Sequence, residues 1–334
     1  MSSDRRPDAS LESDHYAEGR FRNPWPSSQP QGARGLLKWM VSRRRQPDSD
    51  VTAPSSVPAA AASSPANARL SITWIGHSTF LIQAAGLSVL TDPIWSDRAS
   101  PLQFAGPRRH SPPGLGFDAL PAIEAVFLSH DHYDHLDSAT IRRLTSRYPG
   151  AQWIAPIGVG AFLRKRGAVN VEEMDWWHSR TFGRISVDCT PAQHFSGRYP
   201  WNRNSTLWAG WVIGLGGKRV LFAGDTGLHP EFDNIARRFG PLHVAILPIG
   251  AYEPRWFMRP VHMNPEDATE AFVRISETDG SAECVFVPSH RGTFRLTDEP
   301  LDEPPRHLLD AWTTARLPAS LLRLLSPGET LTLS

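Results

Sequence analysis

Stacked β-sheets flanked by helices, an α/β (α+β) architecture, are what this 334-residue sequence predicts. Three observations carry that expectation. Short apolar runs bounded by glycine recur from residue 68 to about residue 290, the spacing of strands. Helical periodicity is interspersed among them, over 138–148, 230–239 and 265–276. The composition is globular, with 40% hydrophobic and 21% charged residues, which excludes wholesale disorder.

The same arithmetic narrows the function classes. A formal net charge of +1 provides no global basic field, so no nucleic-acid partner is expected. No apolar run approaches the ~20 residues of a membrane span. The first fifteen residues have no apolar core, so a secretory leader is not expected either. Two cysteines, Cys189 and Cys284, cannot build a disulfide framework or a multi-cysteine zinc site. The expectation is a cytoplasmic enzyme, or one held peripherally on the inner face of a membrane.

Along the chain, residues 1–45 read as a basic N-terminal extension, 46–66 as a flexible Pro/Ala/Ser linker and 67–334 as one domain. Residues 1–35 look irregular, with Phe21, Pro24, Trp25 and Pro26 as anchors. Residues 35–45 (GLLKWMVSRRR) have two readings. One is a helix packed on the domain through Leu37, Trp39 and Met40. The other is an interfacial helix with Trp39 at headgroup depth. The extension holds nine Lys/Arg against five Asp/Glu. At about 1 kcal/mol per basic residue near an anionic surface, that excess predicts weak, salt-sensitive peripheral binding.

In the domain, 70–74, 79–83 and 87–91 read as strands separated by Gly76 and Gly86. The runs 125–129, 153–155, 169–174, 185–190, 207–213, 219–223, 243–248 and 284–288 read as further strands. The helix over 265–276 has Asn264 as its N-cap and Pro265 at N1. Trp208 and Trp211 read as core residues rather than as the lining of a groove.

The strongest chemical signal is SHDHYDHLD over 129–137. Imidazole nitrogen and carboxylate oxygen are the ligands of zinc and similar borderline metals. His130 and His132 alternate on one side of an extended chain, so both face one ion. Asp134 and His135 follow where the chain turns, so they face a second. His194, Asp225 and His290 each stand at the end of an apolar strand, where a rigid sheet can present a ligand. Taken singly, each of these three reads equally well as a capping or core residue; with the cluster they make a set of seven.

His130-x-His132-x-Asp134-His135, followed by His194, Asp225 and His290, resembles the metallo-β-lactamase-fold hydrolases. FRNPWP (21–26), WIGHSTFLI (74–82), LTDPIWSDRASPLQFAGPRR (90–109), PAQHFSGR (191–198), FAGDTG (222–227), PIGAYEPRWFM (248–258) and HRGTF (290–294) narrow the resemblance. They are similar to the N-acylphosphatidylethanolamine-hydrolysing phospholipases D. The resemblance implies a four-layer αββα sandwich with two Zn2+ ions between the sheets. His130, His132 and His194 would hold one ion, Asp134, His135 and His290 the other, with Asp225 bridging. A bridging hydroxide would attack phosphorus, and Asp134 could accept a proton, which makes Asp134 and Asp225 the catalytic carboxylates.

Asp92, ending a strand before Pro93, is expected to fix a histidine ligand, against the plainer reading of a turn aspartate. His77 has the same expectation, or is a buried hydrogen-bonded histidine. The resemblance makes Tyr133 and His262 substrate contacts. His15, His110, His178, His229, His243 and His307 read as ordinary. The partner expected is a phospholipid or a small-molecule substrate, with a homodimer left open. A lactonase, a β-lactamase-like amidase or another ester hydrolase is the alternative on the same ligands, since fold and metal do not choose the bond.

Overall fold

The computed structural model describes residues 14–25, 29, 31–43, 70–199, 201–280 and 283–333. The linker expected over 46–66 lies outside the described residues, as do Pro26, Arg44 and Arg45.

The chain opens with a hairpin, β1 (Tyr16–Ala17) and β2 (Arg20–Phe21), and a helix, α1 (Ala33–Ser42). Strands β3 (Leu70–Gly76), β4 (Thr79–Ala84) and β5 (Leu87–Thr91) then run antiparallel. Strand β6 (Ala125–Phe127) pairs parallel with β5. Helices α2 (Ser138–Arg147) and α3 (Gly160–Arg164) carry the chain over to β7 (Gln152–Pro156) and β8 (Asn170–Met174), again parallel. The second sheet begins with antiparallel β9 (Ser179–Phe182), β10 (Ile185–Thr190), β11 (Gly210–Leu215) and β12 (Lys218–Phe222). After α4 (Phe232–Phe239) it continues in parallel with β13 (Val244–Pro248), then α5 (Arg255–Met258), α6 (Pro265–Asp279) and β14 (Val285–Ser289). Helix α7 (Glu303–Thr314) leads to β15 (Thr330–Leu333), which returns to pair with β3. The orders are β15-β3-β4-β5-β6-β7-β8 and β14-β13-β12-β11-β10-β9.

The two sheets face each other, and helices cover both outer faces. Ile72, Trp74, Phe80 and Ile82 of the first sheet meet Val187, Trp211, Phe222 and Ile246 of the second in the inner core. Ile141, Leu144 and Leu163 cover the first sheet from outside. Phe232, Phe239, Phe272 and Trp312 cover the second. This is the expected αββα sandwich of the metallo-β-lactamase fold. With both faces covered, β13 (VAILP) and β14 (VFVPS) are buried along their whole length, which is why their apolar runs are continuous rather than alternating. Trp211 also donates its indole N–H to the Leu128 carbonyl at 2.9 Å. That bond satisfies its one polar atom and ties the chain after β6 to the opposite sheet. Trp208 and Trp211 are core residues, as read.

The helix capped by Asn264 forms as expected: its side chain accepts from the Asp267 N–H at 3.0 Å, and Gly280 in the left-handed region ends it. Two N-terminal expectations need correction. Residues 16–21 are a hairpin rather than irregular chain, and Phe21 enters the inner core. In α1, Leu37 and Met40 are each 64% exposed, so they do not pack the helix on the domain. Only Trp39 among the three turns inward, donating its indole N–H to Asp298 at 2.8 Å and stacking on Phe257 at 5.2 Å. Arg43 closes on the same Asp298 carboxylate at 2.9 Å. Among the described residues no helix is long and apolar enough to cross a membrane.

Candidate metal centre

Most of the polar cluster hangs from strand ends, and the backbone is strained there. Asp92 follows β5 with φ +33°, His77 sits in the β3–β4 turn with φ +54°, and His290 follows β14 with φ +55°. Each such non-glycine residue costs on the order of 1 kcal/mol or more, and the sheets must impose it. The register of β3 on β4 is broken between Trp74 and Gly76, which turns the chain at His77. Gly224, ahead of Asp225, is required by space: a Cβ there would lie 2.6 Å from the Ser129 Cβ.

His130, His132 and His194 form the first set. The His130 Nδ1–H donates to Ser129 Oγ at 2.9 Å, and Ser129 Oγ–H donates to Asp92 at 2.6 Å. His194 Nδ1–H donates to the Val261 carbonyl at 2.9 Å. Those bonds assign the tautomers and leave both Nε2 lone pairs aimed inward. His130 Nε2 lies 2.8 Å and His194 Nε2 3.2 Å from His132 Nδ1. A neutral His132 has one N–H to offer these two acceptors, whereas a cation among the three nitrogens would satisfy all of them.

Asp134, His135 and His290 form the second set, with each imidazole Nε2 3.3–3.4 Å from Asp134 Oδ2. His135 Nδ1–H donates to Asp92 at 2.7 Å, and His77 Nε2–H donates to Asp134 at 3.0 Å. Asp225 Oδ2 belongs to both sets. It is 3.1 Å from His135 and His290 Nε2, and 3.9 Å from His130 and His194 Nε2.

The electrostatics fit a site waiting for positive charge. Burial pushes His130 well below the ordinary histidine range, His132 down to about 3 and His194 to about 4, so these imidazoles are neutral at pH 7 and free to offer lone pairs. Burial also opposes charge on His290, but Asp225 and Asp134 outweigh it and raise it to about 9; they lift His135 too. Burial works against both carboxylates, yet the imidazoles outweigh it and hold Asp134 and Asp225 well below the carboxylate range. His135 Nε2, His290 Nε2 and Asp225 Oδ1 are buried without a hydrogen-bond partner, which hard burial does not tolerate unless something else binds them. Carboxylate and imidazole donors of this kind suit zinc, and also iron or manganese. The residues fit a metal at each set.

All seven expected ligands therefore converge, with Asp92 and His77 bonded behind them. His77 approaches more closely than an orienting residue needs to: it shares with Asp134, His135 and His290 a set of ligand atoms within 4.8 Å of one another. His262 faces the cluster, its Nδ1 4.0 Å from Asp225 Oδ2. Tyr133 is placed differently from its expectation. Its hydroxyl donates to the Arg198 carbonyl at 2.9 Å, and it does not line the cavity, because the Arg198 guanidinium stacks on its ring at 4.0 Å and holds it aside. Sequence reasoning missed Ser129 and Asn23. A serine before a histidine cluster and an asparagine in an irregular segment carry no chemical signal by themselves.

The cluster floors a cavity of about 600 Å3. Its walls are mostly apolar, with Leu36 and Trp39 of α1 on one side and Phe195, Phe257, Met258 and Leu296 around them. Arg203 also lines it, its guanidinium stacked on Phe195 at 4.6 Å.

Residues 88–288 match the family described as "Beta-lactamase superfamily domain". An uncharacterized protein of Mycobacterium tuberculosis (strain ATCC 25618 / H37Rv) is 45% identical over 245 residues, which cover 73% of this chain and 64% of that protein. The chain thus spans under two thirds of the length of this relative. N-acyl-phosphatidylethanolamine-hydrolyzing phospholipase D 1 of Caenorhabditis elegans is 38% identical over 253 residues, covering 72% of this chain and 69% of that one. Among solved structures, a metallo hydrolase of the archaeon Ignicoccus hospitalis superposes with a TM-score of 0.58 at 23% identity, over 80% of this chain and 99% of that one. An isothiocyanate hydrolase from Delia radicum gut bacteria gives 0.61 at 20% identity, over 79% and 99%. At such identities the structures speak for the fold alone.

Proposed function

The chain belongs to the metallo-β-lactamase superfamily of metal-dependent hydrolases, and from that premise we propose that it is a binuclear zinc phosphodiesterase of the phospholipase D type. Its substrate would be N-acylphosphatidylethanolamine or a related glycerophospholipid, split into phosphatidic acid and an N-acylethanolamine. The observation that carries this reading is Asp225 Oδ2, one carboxylate oxygen equidistant from two imidazoles of each set.

His130, His132 and His194 would hold one ion, and Asp134, His135 and His290 the other, with Asp225 shared. Bound there, the two ions would supply a hydroxide nucleophile at neutral pH and Lewis acidity toward a phosphoryl oxygen. The protein's own groups do the rest. Asp92 and Val261 fix the tautomers of His135 and His194. Asp134, ionised and held by His77, is placed to accept a proton. Burial lowers His262 well below the ordinary range, so it meets the substrate as a neutral imidazole that can donate to an oxygen of the phosphoryl group. The apolar walls suit acyl chains.

Peripheral membrane association belongs to the same reading. Leu37, Met40 and Val41 point outward from α1 at 64%, 64% and 83% exposure, beside Lys38. Tyr199, which lines the cavity, stacks on Trp201 at 5.0 Å, and the two are 49% and 72% exposed. An amphipathic helix and exposed aromatics at the mouth of a lipid-sized cavity would lie in the headgroup layer.

The test is release of labelled N-acylethanolamine from liposomes by zinc-loaded protein, abolished in Asp225→Asn. Loaded protein that releases none, but opens lactones or nitrocefin, would move the assignment to a carbonyl hydrolase.

A further inference from the structure

The geometry points to Asn23 as a positioning residue for the His130/His132/His194 metal set, supplied by a segment outside residues 88–288 that match the family. The inference rests on the reading that this set holds a metal.

Asn23 follows the β1–β2 hairpin and is 2% exposed. Its side-chain amide grips the backbone of His194 on both sides. Nδ2–H donates to the His194 carbonyl at 2.9 Å, and Oδ1 accepts from the His194 N–H at 3.2 Å. The Trp208 indole N–H is shared between the Ala192 carbonyl at 2.9 Å and the same Oδ1 at 3.1 Å, which favours this orientation of the amide. Strand β10 ends at Thr190, so His194 stands beyond the last pairing residue of its strand. Asn23 takes the place of the neighbouring strand that would otherwise hold that backbone. The His194 ring is then aimed by Val261, leaving Nε2 toward His132. Backbone and ring of one ligand are thereby fixed by two segments distant in sequence.

Asn23 is itself anchored. The Phe21 N–H donates to the Asn204 carbonyl at 2.9 Å, and the Arg22 N–H to the His15 carbonyl at 2.8 Å. Trp25 stacks on His229 at 4.9 Å. A strap needs only such contacts to stay attached. The two-sided grip on His194 exceeds that need.

Zinc binding by the full chain, measured by chelator competition, tests this with Asn23→Ala and the near-isosteric Asn23→Asp. Wild-type protein is expected to take two zinc ions. In Asn23→Ala one ion should bind 10–100-fold more weakly, the range seen when an outer partner of a ligand is removed, while the other keeps its affinity. Asn23→Asp keeps the acceptor but sets a carboxylate oxygen against the His194 carbonyl, so it should weaken the same ion at least as much; it carries the test if the alanine variant does not fold. Cobalt(II) absorption of the weakened site should change with it. Both ions bound with wild-type affinity in both variants, with only the metal-free melting temperature lowered, would make Asn23 a tether and overturn the inference. Wild-type protein that takes up no metal would instead overturn the metal reading, and this inference with it.

Discussion

His135 Nδ1 lies 2.7 Å from Asp92 Oδ2, and the Ser129 hydroxyl and the Ser129 N–H also converge on that one carboxylate, at 2.6 and 2.7 Å. Asp92 is wholly buried and holds its backbone at φ +33° to do so. One side chain therefore orients His135 directly and His130 through Ser129, one imidazole in each set.

Replacing it should uncouple the metals from the sheet. Asp92→Asn is expected to weaken metal binding by 10–100-fold. Asp92→Ala also strands the Ser129 donors in the core, at about 1–3 kcal/mol for each unsatisfied group. Chelator competition and urea unfolding read the two effects separately. Asp92→Asn with wild-type affinity would show that His135 needs no charged partner.

His262 and Tyr133 should part company. His262→Ala is expected to keep its full metal content and lose about 10²–10³-fold in kcat, the range for a lost hydrogen-bond donor to charge that develops in the transition state. Tyr133→Phe removes a hydroxyl already given to a backbone carbonyl, so kcat should stay within about twofold and stability should fall by about 1 kcal/mol. A large kcat loss in Tyr133→Phe would return that residue to the substrate.

The outer face of α1 should matter for lipid surfaces and for little else. Exposed positions away from caps and cores usually tolerate change within about 0.5 kcal/mol. Leu37→Ser, Met40→Ser and Val41→Ser combined should leave the melting temperature nearly unchanged and reduce co-sedimentation with anionic liposomes. Turnover of a soluble short-chain substrate should stay the same. Undiminished co-sedimentation would remove α1 from the membrane reading.

The attachment of the N-terminal hairpin should depend on pH. His15 lies 2.8 Å from Asp175 and 2.8 Å from Asp14, and stacks on Trp176 at 4.3 Å. Burial opposes charge on His15, but the two carboxylates outweigh it and raise it; burial likewise opposes charge on Asp175, and His15 outweighs it and lowers that carboxyl. The raised histidine contributes stability that is complete below 6.5 and lost as pH rises through its folded value. The lowered carboxyl contributes stability present above 3.8 and lost as pH falls through its own. Hydrogen exchange over residues 14–25 should thus be slowest, after correction for intrinsic rates, between about pH 4 and 6.5. It should quicken as pH rises through the raised His15 value, and His15→Gln should abolish the difference. A flat profile in the wild type would rule the pair out as the latch.

How far the sequence could be read followed from how local each signal is. Stacked sheets flanked by helices were legible because strands covered on both faces become continuous apolar runs, as in 244–248 and 285–289, while the four-layer αββα order came with the family resemblance. The hairpin at 16–21 was not, since two residues per strand leave no periodicity. Helix α1 was found, but its facing was not: an isolated amphipathic stretch does not say whether protein or lipid meets its apolar side. The hydrogen bond of Tyr133 was not legible for a related reason, because the Arg198 backbone that takes its hydroxyl is 65 residues away.

By itself the sequence brought forward the candidate ligands. His130, His132, Asp134 and His135 share six consecutive positions, and His194, Asp225 and His290 each follow an apolar run, so residue type and spacing alone pointed to a metal. Tertiary structure alone decided how they are held. Asp92 reaches His135 across 43 residues and Asn23 reaches His194 across 171. Such bonds exist only once the sheets have stacked, because a hydrogen bond is short-ranged and a chain segment acquires distant partners through packing, not through its own composition.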